Sequence, residues 1–140
     1  MRRAAEAPAE KRDSAVQRQA DKFVAFWHKT GIVHFREEEE VLLPAYARYA
    51  RLDQDAAIMR LLADHAEIRA AVEDFERRRA KKLPIEAQAM ARLAKLLHDH
   101  VRFEENDVFP RIERVLGEEN LAAMGRGLTR LHSKTDVCDI

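Results

Sequence analysis

The chain has 140 residues, enough for one domain with a buried core, and 25 basic residues balance 25 acidic ones. This balance excludes the strongly basic surface typical of nucleic-acid-binding proteins. We expect neither a membrane partner nor a signal peptide, because no apolar run of about eighteen residues is present. A single cysteine, Cys138, excludes an internal disulfide. We therefore expect a reduced, cytoplasmic setting.

Few glycines and prolines and many helix-forming residues predict an all-α fold. The pattern indicates one domain over residues 1–140. Within it we expect a polar lead-in over residues 1–13, a helical body over 14–132 and an aperiodic tail over 133–140.

The first helix is predicted to begin near Ser14. Gly31 is expected to loosen it and Pro44 to kink it, because a proline inside a helix removes one hydrogen bond and clashes with the preceding turn. Its apolar face is predicted to contain Phe23, Phe26, Trp27, Val33 and Val41.

The second helix is predicted to be capped by Asp53 and to continue to about Lys82. Its apolar residues recur every three or four positions: Ile58, Leu61, Leu62, His65, Ile68, Val72 and Phe75.

Pro84 is expected to open a third helix that kinks near Pro110 and ends at Gly117. A short last helix over residues 118–132 completes the prediction. Its apolar residues are Leu121, Met124, Leu128 and Leu131.

Two stretches of the sequence repeat one another at a distance of sixty-six residues, residues 34–44 and residues 100–110. In each, a histidine is followed by Arg at +2, Glu at +4 and +5, two apolar residues at +8 and +9, and Pro at +10. A histidine and a glutamate four apart lie on one face of a helix, roughly 5–6 Å apart at Cβ. This spacing favours two ligands that hold one metal.

The interior positions of these residues strengthen the metal hypothesis. Taken alone, His65 fits a hydrogen-bonded core histidine, and Glu38 and Glu104 fit positions at the boundary of the core. Together with His34 and His100, however, they place five titratable groups on the inward faces of three helices. Such a cluster is costly to bury without a cation.

The types of ligand indicate which metal would bind. Imidazole and carboxylate without thiolate suit iron or manganese, with zinc possible. Carboxylates from two helices favour two ions, with Glu38 and Glu104 as bridges and His34, His65 and His100 as terminal ligands. The remaining histidines, His28, His98 and His132, and the thiol of Cys138 are predicted to lie outside the ligand set.

These motifs resemble the hemerythrin-like (HHE cation-binding) family over almost the whole chain. The resemblance implies an up-down helical bundle around two non-haem iron ions, with His34, Glu38, His65, His100 and Glu104 matching the family's ligands. Oxygen-carrying members usually have another histidine at the place of Arg69. The set of five ligands is therefore more similar to the sensing and iron-handling members.

The internal repeat also leads us to expect that the family's first helix is missing. At the offset of sixty-six, the counterpart of His65 falls two positions before Met1. A homodimer that completes the bundle is one explanation. A misassigned start, a truncated domain and a C-terminal helix that folds over the open side are the others.

The resemblance implies a non-enzymatic protein that binds or senses O2, a related small molecule, iron or redox state. An oxidase or peroxidase-like enzyme that uses the same site is the first alternative. A metal-free helical module for protein interaction is the second.

Overall fold

The structure, a computed structural model, describes residues 9–117. Within this range the chain is helical and contains no strand, which confirms the predicted all-α fold. Its α-helices are α1 (Ala9–Phe26), α2 (Ile32–Glu37), α3 (Leu43–Tyr46), α4 (Ala56–Ala80), α5 (Ala87–Phe103) and α6 (Phe109–Leu116). None of these helices is both long and apolar enough to span a membrane. The predicted last helix over residues 118–132 and the tail lie outside the described residues.

Short turns connect several of these helices. Wide π-helical turns at Trp27–Gly31, Glu38–Leu42 and Glu104–Val108 join α1 to α2, α2 to α3, and α5 to α6, and a 3-10 turn at Leu52–Gln54 precedes α4. The described residues therefore form three long helices that pack against one another, over residues 9–46, 56–80 and 87–116.

The first long helix begins at Ala9, earlier than the predicted start near Ser14. The prediction relied on apolar periodicity, whereas residues 11–15 are all exposed. Their helix is explained by residues of high intrinsic helix propensity, such as Lys11 and Arg12.

The π-helical turns change which residues face inward. A π turn adds one residue to the helix and so rotates the register by about 100°. Leu42 and Leu43 are buried, whereas Val41 is 50% exposed and Val33 is 42% exposed. The prediction that Val33 and Val41 belong to the buried face is therefore wrong. Leu62 on the second long helix is also 40% exposed, on the flank of the buried stripe.

Asp55, and not Asp53 as predicted, caps the second long helix. The Asp55 side chain accepts hydrogen bonds from the backbone N–H groups of Ala57 and Ile58. Asp53 lies in the preceding 3-10 turn. Asp55 also accepts a hydrogen bond of 2.8 Å from the hydroxyl of Tyr46, which ties this cap to the end of the first long helix.

The third long helix begins at Ala87 and not at Pro84. Ile85 is buried, and both its backbone groups bond to the Gln17 side chain, which donates to the Ile85 carbonyl and accepts from the Ile85 N–H. The backbone of Glu86 is still extended. These contacts hold the chain extended past Pro84 and delay the start of the helix.

The core consists of two apolar clusters at opposite ends of the bundle. One contains Phe23, Trp27, Phe35, Phe75 and Leu93, among others, and the other contains Leu42, Tyr46, Leu61 and Ile112, among others. Along each long helix the predicted metal ligands fall at the transition between the two clusters. The site therefore forms a polar layer between two apolar ones.

Gly31 provides a test of this packing. A Cβ atom at Gly31 would lie 2.7 Å from Cε3 of Trp27, whose buried ring meets the Phe35 ring edge-on. We expect Gly31→Ala to lower the free energy of unfolding by about 1–3 kcal/mol through overpacking. Helix propensity alone would raise it by about 1 kcal/mol. Thermal unfolding followed by the fluorescence of Trp27, the only tryptophan, measures the difference.

Thr30→Ala is the matched control in the same turn, because the Thr30 side chain is only partly buried. We expect little change in stability for this variant. A Gly31→Ala protein that melts above the wild type would contradict the proposed packing.

Candidate metal centre

The structure brings all five predicted ligands together in the polar layer. His34 lies on α2 and Glu38 begins the π-helical turn that follows it. His100 and Glu104 repeat this arrangement at the end of α5, and His65 reaches the same point from α4. The repeated spacing of histidine and glutamate therefore produces two facing pairs, with His65 between them.

The two carboxylates each face histidines on two sides. Glu38 places Oε1 2.7 Å from Nε2 of His34 and Oε2 3.0 Å from Nε2 of His65. Glu104 places Oε1 2.7 Å from Nε2 of His100 and 3.7 Å from Nε2 of His65. Its Oε2 lies 3.7 Å from Nε2 of His34.

This arrangement defines two sides of the site. The first side contains Nε2 of His34 and one oxygen from each glutamate. The second side contains the Nε2 atoms of His65 and His100 and the other oxygen of each glutamate. Potential ligand atoms of Glu38, Glu104 and the two second-side histidines all lie within 4.8 Å of one another.

The site is almost completely removed from solvent. Glu38, His65 and Glu104 are 0% exposed and His100 is 1% exposed. Within residues 11–117, whose burial the structure describes, these four are the only buried histidines and carboxylates. The side chain of His34 is 13% exposed, at the edge of the layer.

The contacts at the centre do not have the geometry of hydrogen bonds. Neither oxygen of Glu38 and neither Nε2 atom of His65 and His100 forms a hydrogen bond, although these atoms are close enough. Buried polar atoms in folded proteins nearly always form hydrogen bonds. Lone pairs that converge without such bonds are typical of metal ligands, so the residues present fit a bound cation.

Burial alone would lower the pKa of each histidine, but the neighbouring carboxylates outweigh it. Beside Glu104 and Glu38, the pKa of His34 is raised to about 10 and that of His65 to about 9. The pKa of His100 is also raised, mainly by Glu104. Without a metal, the carboxylates therefore keep His34 and His65 protonated at neutral pH and favour the protonated form of His100.

The two glutamates differ from each other in their pKa values. Burial and the charge of Glu104 raise the pKa of Glu38. Burial also acts to raise the pKa of Glu104, but contacts with the three histidines lower it well below its usual range. The two glutamates therefore form one buried site, in which the protonation of each carboxylate depends on the charge of its neighbours.

Two carboxylates behind the site were not predicted from the sequence. Nδ1 of His65 lies 2.9 Å from Oε2 of Glu39, and Nδ1 of His100 lies 3.1 Å from Oδ2 of Asp64. Arg69 in turn donates a hydrogen bond of 3.0 Å to Oε1 of Glu39. Each carboxylate is adjacent in sequence to a predicted ligand, which is the only signal that would have found it.

An aromatic wall holds the histidine rings. The Phe35 ring is stacked on that of His65, with centroids 3.7 Å apart and planes within 6°. It also meets the rings of His100 and Trp27 edge-on. This contact restricts the plane in which His65 can lie.

A small apolar cavity of about 30 Å³ adjoins the first side of the site. His34, His100 and Glu104 lie at its polar end. Its apolar walls come from α1, the first π-helical turn and α5, and include Phe23, Phe26, Trp27, Leu97 and Val101. The volume admits a molecule about the size of water.

The remaining histidines of the described residues lie outside the site. The side chain of His98 is 53% exposed and that of His28 is 58% exposed, where it contacts Glu76. His132 and Cys138 fall outside the described residues.

Together the fold and the site define a helical-bundle protein with a buried cluster of histidines and carboxylates. Residues 1–112, most of the chain, match the family described as Hemerythrin HHE cation binding domain. The chain belongs to this family, which confirms the resemblance seen in its motifs. No curated protein and no solved structure matched the chain. That the five residues bind a metal stays a prediction.

The raised pKa values predict how the stability of the metal-free protein depends on pH. His34 and His65 bind protons more tightly when folded than when unfolded, where their pKa is about 6.5. Unfolding therefore releases protons, and rising pH favours it. We expect the contribution of these two histidines to the free energy of unfolding to be complete below pH ~6.5 and to be lost as the pH rises through 9 and 10.

Urea unfolding of chelator-treated protein at several pH values measures this effect. His28→Gln and His98→Gln are matched controls, because both side chains are exposed, and they should keep the wild-type profile. A metal-free protein that gains stability between pH 7 and 10 would contradict the assignment.

Proposed function

We propose that this protein is a non-haem di-iron protein that binds or senses O2 or a related small molecule. Membership of the cation-binding family supports a metal site in general. The observation that carries the proposal is that each buried glutamate directs its two oxygens to histidines on opposite sides.

The donor atoms support two ions of unequal coordination. On the second side, His65, His100 and one oxygen of each glutamate would supply four donors to one ion. On the first side, His34 and the other glutamate oxygens would supply three. Carboxylates with oxygens on both sides suit the bridging role that glutamates have in bundle di-iron sites.

The first side is the better candidate for ligand binding. It has fewer protein donors, and the apolar cavity opens beside His34. Phe26, Trp27 and Leu97 line this cavity and would exclude bulk water and large solutes. A small, weakly polar molecule fits such a wall better than a charged one. When bound, reduced iron supplies the electrons that O2 binding requires.

The ligand types support iron more than the alternatives. Imidazoles with bridging carboxylates and no thiolate suit iron or manganese, and zinc also accepts these donors. The protein would keep its imidazoles oriented through Glu39 and Asp64, and it would restrict solvent through Phe35 and Trp27.

The direct test is anaerobic loading with Fe(II), followed by metal analysis and exposure to O2. We expect about two equivalents of iron per chain and a stoichiometric, reversible change in the absorption spectrum. His34→Ala removes the only histidine that the described residues place on the first side. We expect it to retain about one equivalent of iron and to lose the response to O2.

His98→Ala serves as the control, because this side chain is exposed on the same helix as His100. Less than about half an equivalent of iron in the wild type, with His65→Ala leaving the melting temperature unchanged, would overturn the proposal. Continuous consumption of peroxide would instead favour an oxidase or peroxidase-like enzyme.

Metal binding should also release protons. At pH 7 the raised pKa values keep His34 and His65 protonated in the metal-free protein. A cation can bind their Nε2 atoms only after those protons leave. We therefore expect the apparent affinity for Fe(II), Mn(II) or Zn(II) to increase with pH between about 6.5 and 9.

Calorimetric titration in two buffers with different ionisation enthalpies counts the released protons. His28→Gln should release as many as the wild type, because the His28 side chain is exposed and contacts Glu76. A proton count of zero would show that the cation binds elsewhere.

A homodimer is part of the same proposal. Its test is the molar mass of the full chain in solution, measured by light scattering with and without bound metal. A monomer under both conditions would exclude the dimer and leave the metal site unaffected.

A further inference from the structure

Behind the two histidines of the second side lies a set of contacts that links all three long helices. Glu39 follows Glu38 on the first long helix and accepts from His65 on the second. Asp64 precedes His65 on the second and accepts from His100 on the third. In each case the carboxylate faces Nδ1, and the opposite ring atom, Nε2, faces the centre.

The orientation of an imidazole depends on both of its nitrogens. In a neutral imidazole, a hydrogen bond from Nδ1–H to an acceptor leaves Nε2 without a proton and with its lone pair available for a metal. For His65 and His100 the acceptor is a carboxylate, which binds this N–H more strongly than a neutral group would.

Further contacts hold Glu39 in place. The Arg69 guanidinium pairs with the Glu39 carboxylate at 2.9 Å and lies 5.4 Å from the centroid of the Phe35 ring. The Phe35 ring is in turn stacked on the ring of His65. His65 is therefore restricted by a ring contact and by a hydrogen bond to an acceptor that is itself anchored.

We infer that Glu39 and Asp64 are positioning residues, which hold His65 and His100 in the Nδ1–H tautomer with Nε2 directed into the site. This inference rests on the proposed metal site and adds the residues that prepare it. Neither carboxylate contacts the metal in this role. Arg69 acts one step further out, through Glu39.

Substitutions of Glu39 and Arg69 remove different contacts and should therefore affect metal binding differently. Glu39→Gln keeps an oxygen that can accept from Nδ1–H, but it loses the ion pair with Arg69. Glu39→Leu loses both contacts. Arg69→Met removes the ion pair and leaves the Glu39 acceptor. Loss of the acceptor should therefore lower metal affinity more than loss of the ion pair.

The experiment uses Zn(II), which is diamagnetic and accepts the four donors of the second side. Competition with a chromophoric chelator gives the affinity of the full chain. We expect Glu39→Leu and Asp64→Leu each to weaken zinc binding by about 10–100-fold. Glu39→Gln and Arg69→Met should weaken zinc binding less than Glu39→Leu does, because each keeps an acceptor for Nδ1–H of His65.

Correlation NMR of the imidazole nitrogens tests the tautomer independently of affinity. In the zinc-loaded wild type, we expect slowly exchanging Nδ1–H signals from His65 and His100. Glu39→Leu should remove the His65 signal only, and Asp64→Leu the His100 signal only. A merely structural role for these carboxylates would leave both signals in place.

Glu40→Leu is the matched control, because Glu40 is the next carboxylate in the sequence and pairs only with Arg36 at the surface. Unchanged affinity in Glu39→Leu, or an equal loss in Glu40→Leu, would overturn the inference. So would a loss in Arg69→Met as large as in Glu39→Leu. A wild type that binds no zinc and no iron would overturn the proposed function and the inference with it.

Discussion

Two carboxylates that are buried side by side impose the main constraint on this structure. Glu38 and Glu104 lie in the middle of an apolar bundle, where an isolated carboxylate is very unfavourable. Their repulsion has to be balanced by positive charge within a few ångströms. Protonated imidazoles provide this charge in the metal-free state, and a cation would provide it in the loaded state. The three long helices must therefore pack so that His34, His65 and His100 reach the same point.

The π-helical turns at Glu38 and Glu104 are the local device that satisfies this constraint. Each begins at the buried glutamate and ends two residues before the proline of its motif. The preceding α-helical turn keeps the histidine four residues earlier on the same face. The additional residue then rotates the chain. As a result, the apolar pair before each proline packs in the core cluster that contains Tyr46 and Ile112. Such turns recur at functional sites, because they change the register without ending the helix.

Much of the site is predictable from the sequence because it depends on spacing within single helices. The repeated interval between histidine and glutamate identifies four ligands, and the position of His65 in an apolar stripe adds the fifth. The positions of Glu39 and Asp64 depend on how the helices rotate against one another, which a single-helix pattern does not contain. The repeat even gives Glu39 and Glu105 equal status, whereas Glu105 is exposed in the structure. The helix boundaries near Asp55 and Ile85 were missed for the same reason, since both depend on contacts with the first long helix.

The two sides of the site have unequal numbers of histidines, and Arg69 supports one of them. Arg69 lies one helical turn after His65 on the second long helix. Its guanidinium pairs with Glu39, and its side chain is 36% exposed. The position thus serves to anchor the acceptor of His65 instead of adding a donor. Because His65 and His100 both face the second side, the first side is left with His34 as its only imidazole among the described residues. The inequality of the two sides therefore comes from the placement of His65 and His100, and the pair of Arg69 and Glu39 supports the side on which these two histidines lie.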